Sequence, residues 1–275
     1  MGIKYKVDEN FFKRWTYENA YILGFIFADG SLENSPYIRG KYLRITNTDL
    51  PIISRIKTAL KSCHHIGIAP ATGNRKEKYS LRIGSKEIYK DLGRIGLRPN
   101  KSLNMQFPEI PRRFMGDFIR GYFDGDGTIC FEWEKNKSKN RLKVIFTSGS
   151  KDFLLRLSEV LQEPCAGYSA KVYDSRRSYQ LIYRSRQAVN VLNFMYDRIK
   201  PDLSMCIKRK YAKYKDLMLR PRLVGCDNLF DKKSKIWTYG TAGRRTQAAK
   251  GGVCKTPMQR FDSARRLHSA TPISS

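Results

Sequence analysis

Ile22-Leu23-Gly24-Phe25-Ile26-Phe27-Ala28-Asp29-Gly30 returns later in the chain as Ile119-Arg120-Gly121-Tyr122-Phe123-Asp124-Gly125-Asp126-Gly127. Each copy reads as a short apolar helix that ends in a small residue, an aspartate and a glycine. The last aspartates, Asp29 and Asp126, stand 97 positions apart, and the segments that follow them also match. Within each copy a glycine and a small residue lie four apart on one helical face, Gly24 with Ala28 and Gly121 with Gly125. Such a face lets two helix backbones approach closely, as small residues do between membrane helices. Pairing the copies would set Asp29 and Asp126 side by side at the negative ends of two helices. Two carboxylates held together repel, which is costly unless a cation sits between them. Oxygen-only donors suit Mg²⁺, which can lower the pKa of a water, orient it and stabilise the leaving oxygen of a phosphodiester. A single Asp-Gly ending a helix is a common turn. Two copies, each opening an equivalent half, favour a site.

Outward from each copy the same order of elements is legible. Tyr42–Thr46 alternates as a strand. Thr48 or Asp49 can cap a helix with Pro51 in its first turn and Ile52, Ile53, Ile56 and Leu60 as its apolar stripe. Gly73-Asn74-Arg75-Lys76 suits a hairpin tip, and Tyr79–Ile83 alternates again. Ser85 can cap a helix bearing Ile88, Leu92 and Ile95 that stops near Gly96, with Pro99 beyond. The second half repeats this: a strand at Leu142–Thr147, a helix capped by Ser150 or Asp152, a strand at Tyr179–Tyr183, and a helix after Ser185. A last helix, Ile207–Leu219, is rich in Lys, Arg and Tyr. Each half is about 100 residues, and one duplicated α/β unit explains the order better than two unrelated domains. The halves are placed at 1–112 and 113–220, followed by a tail at 221–275.

The chain has 275 residues with 53 Lys+Arg against 25 Asp+Glu, a formal net charge of +28. From Pro221 onward there are 11 basic and 3 acidic residues, so most of the excess belongs to the repeat itself. That balance favours a polyanionic partner, with nucleic acid ahead of an anionic membrane. The start, Met1–Lys13, is charged and lacks the apolar stretch of a signal peptide, so an intracellular protein is expected, not a secreted one. The longest apolar run, Ala20–Ala28, is too short to span a bilayer. Six scattered cysteines without a CxxC pair argue against zinc and against a disulfide framework. His64, His65 and His268 show no metal-ligand spacing.

The two acidic motifs, together with Gly96-Leu97-Arg98-Pro99-Asn100-Lys101-Ser102 just before the second, resemble those of the LAGLIDADG homing endonucleases, specifically single-chain members with two motifs. The resemblance covers about residues 15–218. It implies an α+β fold of two pseudo-symmetric αββαββα halves whose antiparallel sheets form a saddle over the DNA major groove. It also implies a monomer that cleaves both strands of a long asymmetric site. A divalent cation, Mg²⁺ or another, would be held by Asp29 and Asp126, with the neighbouring Ala28 and Gly125 beside them. A basic residue near the site is matched by Lys101 in the first half. Its counterpart in the second falls at about Leu203, which is not basic, and Lys208 or Arg209 could substitute. Phe27 stands where the second copy has Asp124, a position that does not hold metal in this family.

If Leu43, Ile45, Leu81 and Ile83 face the core, then Tyr42, Arg44, Thr46, Ser80 and Arg82 face outward. Lys143, Gln180 and Arg184 are the candidates in the second half. Arg and Lys can read guanine in the major groove and Gln can read adenine, although a solvated face or plain phosphate contact is the ordinary alternative. Residues 134–141, with Lys135 and Lys137, resemble a basic hairpin reaching along the DNA backbone. In the tail, periodicity is lost. Arg260-Phe261-Asp262-Ser263 is what the T-loop of a transfer-RNA-type gene would encode in one frame, which suggests a reading frame inside an intron of an RNA gene. Two other functions remain open from sequence: an RNA-binding maturase acting on intron RNA, and a DNA-binding protein without catalysis. No splicing blocks flank the repeat, which disfavours an intein.

Overall fold

In the computed structural model of the chain, the residues described are 5–34, 40–99, 103–133, 140–197, 199 and 205–219, and all of them lie in one compact unit. The first half runs α1 (Tyr17–Asp29), β1 (Gly30–Glu33), β2 (Tyr42–Asn47), α2 (Leu50–Ala59), β3 (Ile66–Ala69), β4 (Lys78–Gly84) and α3 (Lys86–Ile95). The second runs α4 (Met115–Asp126), β5 (Gly127–Trp133), β6 (Asn140–Ser148), α5 (Lys151–Val160), β7 (Val172–Ser175), β8 (Ser178–Arg184) and α6 (Ser185–Tyr196), after which α7 (Lys208–Leu219) follows. Each half is therefore αββαββα. Each sheet is antiparallel, in the orders β1-β2-β4-β3 and β5-β6-β8-β7, which are the same order in the two copies.

Local chemistry sets the element ends. Thr16 caps α1 in a reciprocal box with Asn19. Asp49, Ser85 and Ser150 accept the amides of Ile52, Ile88 and Phe153 and start α2, α3 and α5. Gly96, at φ +111°, ends α3 in the left-handed conformation. Helix α6 starts without a side-chain cap, and Ser185 is its first residue, not its cap.

Register follows the alternation. Leu43 pairs with Ile83 and Ile45 with Leu81, all buried, while Arg44 pairs with Arg82 on the opposite face. In the second sheet Val144 pairs with Tyr183 and Phe146 with Leu181 toward the core, while Lys143 pairs with Arg184 on the open face. Helices α2 and α3 cover the inner face of the first sheet and α5 and α6 that of the second. Helix α1 is buried from Asn19 to Phe27, on every side, because it packs on α4 as well as on its own sheet. Four strands, β1, β3, β5 and β7, had no clear sequence signal. β1 and β5 begin on the glycine that ends a helix, and β3 and β7 are edge strands with few buried residues.

Candidate functional site: paired helix ends and open sheet faces

Helices α1 and α4 cross in contact at the repeated motif. A methyl group built on Gly24 would stand 1.9 Å from the Phe118 carbonyl oxygen, and one on Gly121 would stand 1.9 Å from that of Tyr21. Tyr21 and Phe118 occupy the same place in the two copies, so the contact is reciprocal about a pseudo-twofold axis. The space, not the backbone angle, demands glycine here. Around the axis the copies differ. The Tyr21 hydroxyl donates to Asp124 Oδ2 at 2.7 Å, whereas the equivalent pair, Phe118 and Phe27, meets as rings 5.5 Å apart.

At the C-terminal ends the two acids are brought together. A methyl on Gly125 would lie 2.4 Å from Ala28 Cβ and 3.0 Å from Asp29 Oδ2, so the carboxylate of the first half reaches the backbone next to Asp126. Both aspartates are half-buried. Asn47, at the end of β2, donates its amide to Asp29 Oδ2 at 2.6 Å. The corresponding residue at the end of β6 is Ser148, whose hydroxyl accepts the Ser150 amide. Burial, with the charges of Asp126 and Asp29, raises the Tyr122 hydroxyl well above its ordinary pKa, and that hydroxyl donates to the Thr147 carbonyl at 2.7 Å.

Asp124 is wholly buried and accepts from three donors: the Tyr21 and Tyr196 hydroxyls and the Ile207 amide, each at 2.7 Å. It is a structural carboxylate that ties α6 and the entry to α7 to the central helices. Lys210 of α7 donates to the carbonyls of Phe123, Asp124 and Gly127 at 2.5, 2.9 and 2.6 Å and so closes the carbonyl end of α4. Burial depresses its pKa to about 8, against the opposing pull of Asp124, Asp29 and Asp126. The oxygen donors of Asp29 and Asp126, beside the backbone of Ala28 and Gly125, suit a hard divalent cation.

The open faces of the sheets hold Tyr42, Arg44, Thr46 and Arg82 in the first half and Lys143, Gln180 and Arg184 in the second, on the face predicted by alternation. The charged ones are tethered. Arg44 and Arg82 both contact Glu33, at 3.0 and 2.7 Å, and Arg82 also stacks over Tyr42 at 4.0 Å. Lys143 and Arg184 both contact Glu132, at 2.5 and 3.6 Å, and the Lys143 ammonium holds that carboxyl below the usual range. Thr46 donates to Ser80 at 3.2 Å. Lys101, Lys135 and Lys137, the rest of the loop at 134–139, and the tail lie outside the described residues.

Asn47, Lys210, Glu33 and Glu132 were not singled out from sequence, although the first two left a trace. Asn47 continues the inward register of Leu43 and Ile45, so it is a polar residue in an apolar row. Lys210 shares the buried stripe of α7 with Tyr214 and Leu217.

Two comparisons fit this architecture. Residues 113–194 match the family model described as a LAGLIDADG-like domain. Among solved structures, I-SmaMI bound to uncleaved DNA in the presence of calcium ions superposes with a TM-score of 0.52 over 78% of this chain and 99% of that one, at 14% identity. The homing endonuclease I-WcaI bound to its DNA recognition sequence gives 0.50 over 74% and 91%, also at 14% identity. The chain has the LAGLIDADG homing-endonuclease fold, with both halves represented. In sequence it is similar to a Methanocaldococcus jannaschii protein named as a probable translation initiation factor IF-2 (28% identity, 62% of this chain, 14% of that protein). It is equally similar to the reverse gyrase of the same organism (28%, 66% and 10%). The chain thus spans only a tenth to a seventh of the length of these relatives.

Proposed function

We propose that the chain is a site-specific endonuclease that hydrolyses both strands of duplex DNA with a divalent cation, Mg²⁺ in the simplest case, at Asp29 and Asp126. The carrying observation is the reach of the Asp29 carboxylate across the pseudo-twofold to the backbone beside Asp126. Such a pair is electrostatically costly without a cation. When bound there, a divalent cation supplies stabilisation of the charge that develops on the phosphodiester oxygens. The residues of the chain do the rest. Asp29 and Asp126 present their carboxylates at fixed helix ends, and Asn47 orients the first. Tyr42, Arg44, Thr46, Arg82, Lys143, Gln180 and Arg184 hold the duplex against the sheet faces, with the basic excess steering it there. Lys101 is assigned the basic role next to the first acid, and Lys135 and Lys137 backbone contacts.

The sequence relatives support a mobile coding segment. The chain matches a small part of each of two proteins with unlike names, an initiation factor and a reverse gyrase, as a segment that moves between genes would. We assign the chain to such an element inside the cell, acting as a monomer on a long asymmetric site. Sequencing the flanks of its gene decides between an intron, the setting suggested by the tail, and a segment inserted in a protein gene.

The test uses duplex DNA carrying the uninterrupted insertion site, with Mg²⁺ or with EDTA. Both strands are expected to be cut only with Mg²⁺. Asp29→Asn and Asp126→Asn are each expected to abolish double-strand cleavage and leave binding in place. A variant that still cuts both strands at the normal rate would contradict the two-acid site. Retention of intron RNA with no cleavage would assign the chain to splicing instead.

A further inference from the structure

The β7–β8 hairpin turns in two residues, Arg176 and Arg177, between the paired Ser175 and Ser178. Both arginines have positive φ, +21° and +64°. A two-residue hairpin with φ positive at both central positions favours Asn-Gly, because a side chain with Cβ is crowded there. The corresponding turn of the first half, between the bridged Thr72 and Arg75, has one central residue with positive φ, +56°, and that residue is a glycine, Gly73. Two arginines in such a turn contradict the local preference of the backbone, and folding gives no evident return. Both are exposed, and the side-chain hydrogen bond at the turn, from Ser178 Oγ to the Ser175 carbonyl, does not involve them. Among the described residues neither guanidinium has a carboxylate partner, whereas Arg44, Arg82 and Arg184 on the sheets each have one. The turn also has a defined place. Strand β5 springs from α4 at the pseudo-twofold, and β7 is the far edge of the same sheet. The two arginines therefore cap the outer flank of the second half.

We propose that Arg176 and Arg177 form a contact for two backbone phosphates at the outer end of the bound duplex, kept in a strained turn for that purpose. This rests on the reading of the chain as a DNA-binding protein. Strain at a position that a better-suited sequence would relieve is the mark of a functional residue. Unpaired guanidinium groups at a rigid tip suit phosphate oxygens, which fix position without reading sequence. Because such contacts do not depend on base identity, they are measurable without the target site.

The experiment compares the full chain with two double variants, Arg176→Asn with Arg177→Gly, and Arg176→Gln with Arg177→Gln. The probe is a fluorescent mixed-sequence duplex of about 40 base pairs, long enough to cover several phosphate contacts, titrated at 50 to 200 mM KCl. The Asn-Gly variant is expected to melt a few degrees higher than the natural chain. It should bind at least about fivefold more weakly at the upper salt, with the slope of log K against log salt shallower by about two. The double Gln variant should show the same loss of affinity and slope without the gain in melting temperature. Unchanged affinity and slope in the Asn-Gly variant would overturn the contact, and a melting temperature that is not raised would overturn the strain. If the natural chain binds no duplex at all, the DNA-binding reading itself fails, a result distinct from either of these.

Discussion

Single residues decide whether the central helices can meet. Gly24 and Gly121 face a partner carbonyl at a separation that no Cβ could occupy, and the obstacle is backbone, which cannot swing aside. Gly24→Ala or Gly121→Ala is expected to cost about 3 kcal/mol or more, measured by chemical denaturation. Gly73→Ala is a useful contrast: nothing lies near its Cβ position, and only the positive φ is violated, so about 1 kcal/mol is expected. Asn47→Ala should leave duplex affinity unchanged and slow cleavage on the order of tenfold, since an outer residue that orients an acid acts through it. Equal cleavage rates would remove Asn47 from the site. The glycine faces and the two terminal acids were legible because duplication printed them twice. Asn47 was not, because one polar residue in an apolar register has no second copy: Ser148 stands in its place. The tethering of Arg44 and Arg82 to one carboxylate was illegible for a different reason, since Glu33 belongs to a strand with no sequence signal of its own.

At the scale of elements, α7 lies outside the repeat yet completes it. Its Lys210 satisfies three carbonyls at the end of α4, and Tyr214 and Leu217 fill the same buried stripe. Lys210→Met is expected to destabilise the fold by about 3 kcal/mol, because several buried acceptors lose their donor at once. A chain ending after Ile207 should fail to fold, whereas one ending after Leu219 should fold and cut; circular dichroism and a cleavage assay on the two truncations check this. The apolar periodicity of α2, α3, α5 and α6 and the alternation of the four inner strands made those elements readable. The cap at Ser85 was readable as well, and those of α2 and α5 to within two candidates each, because a side-chain oxygen before an apolar stripe has few other uses. Edge strands escaped, since they bury too little to impose a pattern.

For the whole molecule, the pH response follows from buried phenols. Tyr21, Tyr122 and Tyr196 are each raised well above their ordinary pKa, first by burial and then by neighbouring carboxylates. Below pH about 10 both folded and unfolded states keep these protons, and their contribution is complete. Above it the unfolded chain loses them while the folded chain does not, so stability falls as pH rises. Lys210, with its pKa lowered to about 8, acts in the opposite sense between that value and its unfolded pKa of about 10, so stability rises over that window before the phenols reverse the trend. In an alkaline titration followed by phenolate absorbance, these three tyrosines are expected to ionise only as the protein unfolds.

The unlike clasps across the central axis carry a last consequence. If two first halves met through α1, each Tyr21 hydroxyl would face Phe27 and find no acceptor. If two second halves met through α4, each Asp124 would face Phe118 and lose one of its donors. The matched set exists only when one half of each kind is present. Covalent linkage and helix chemistry thus enforce the same unlike pairing, and neither half is suited to its own image.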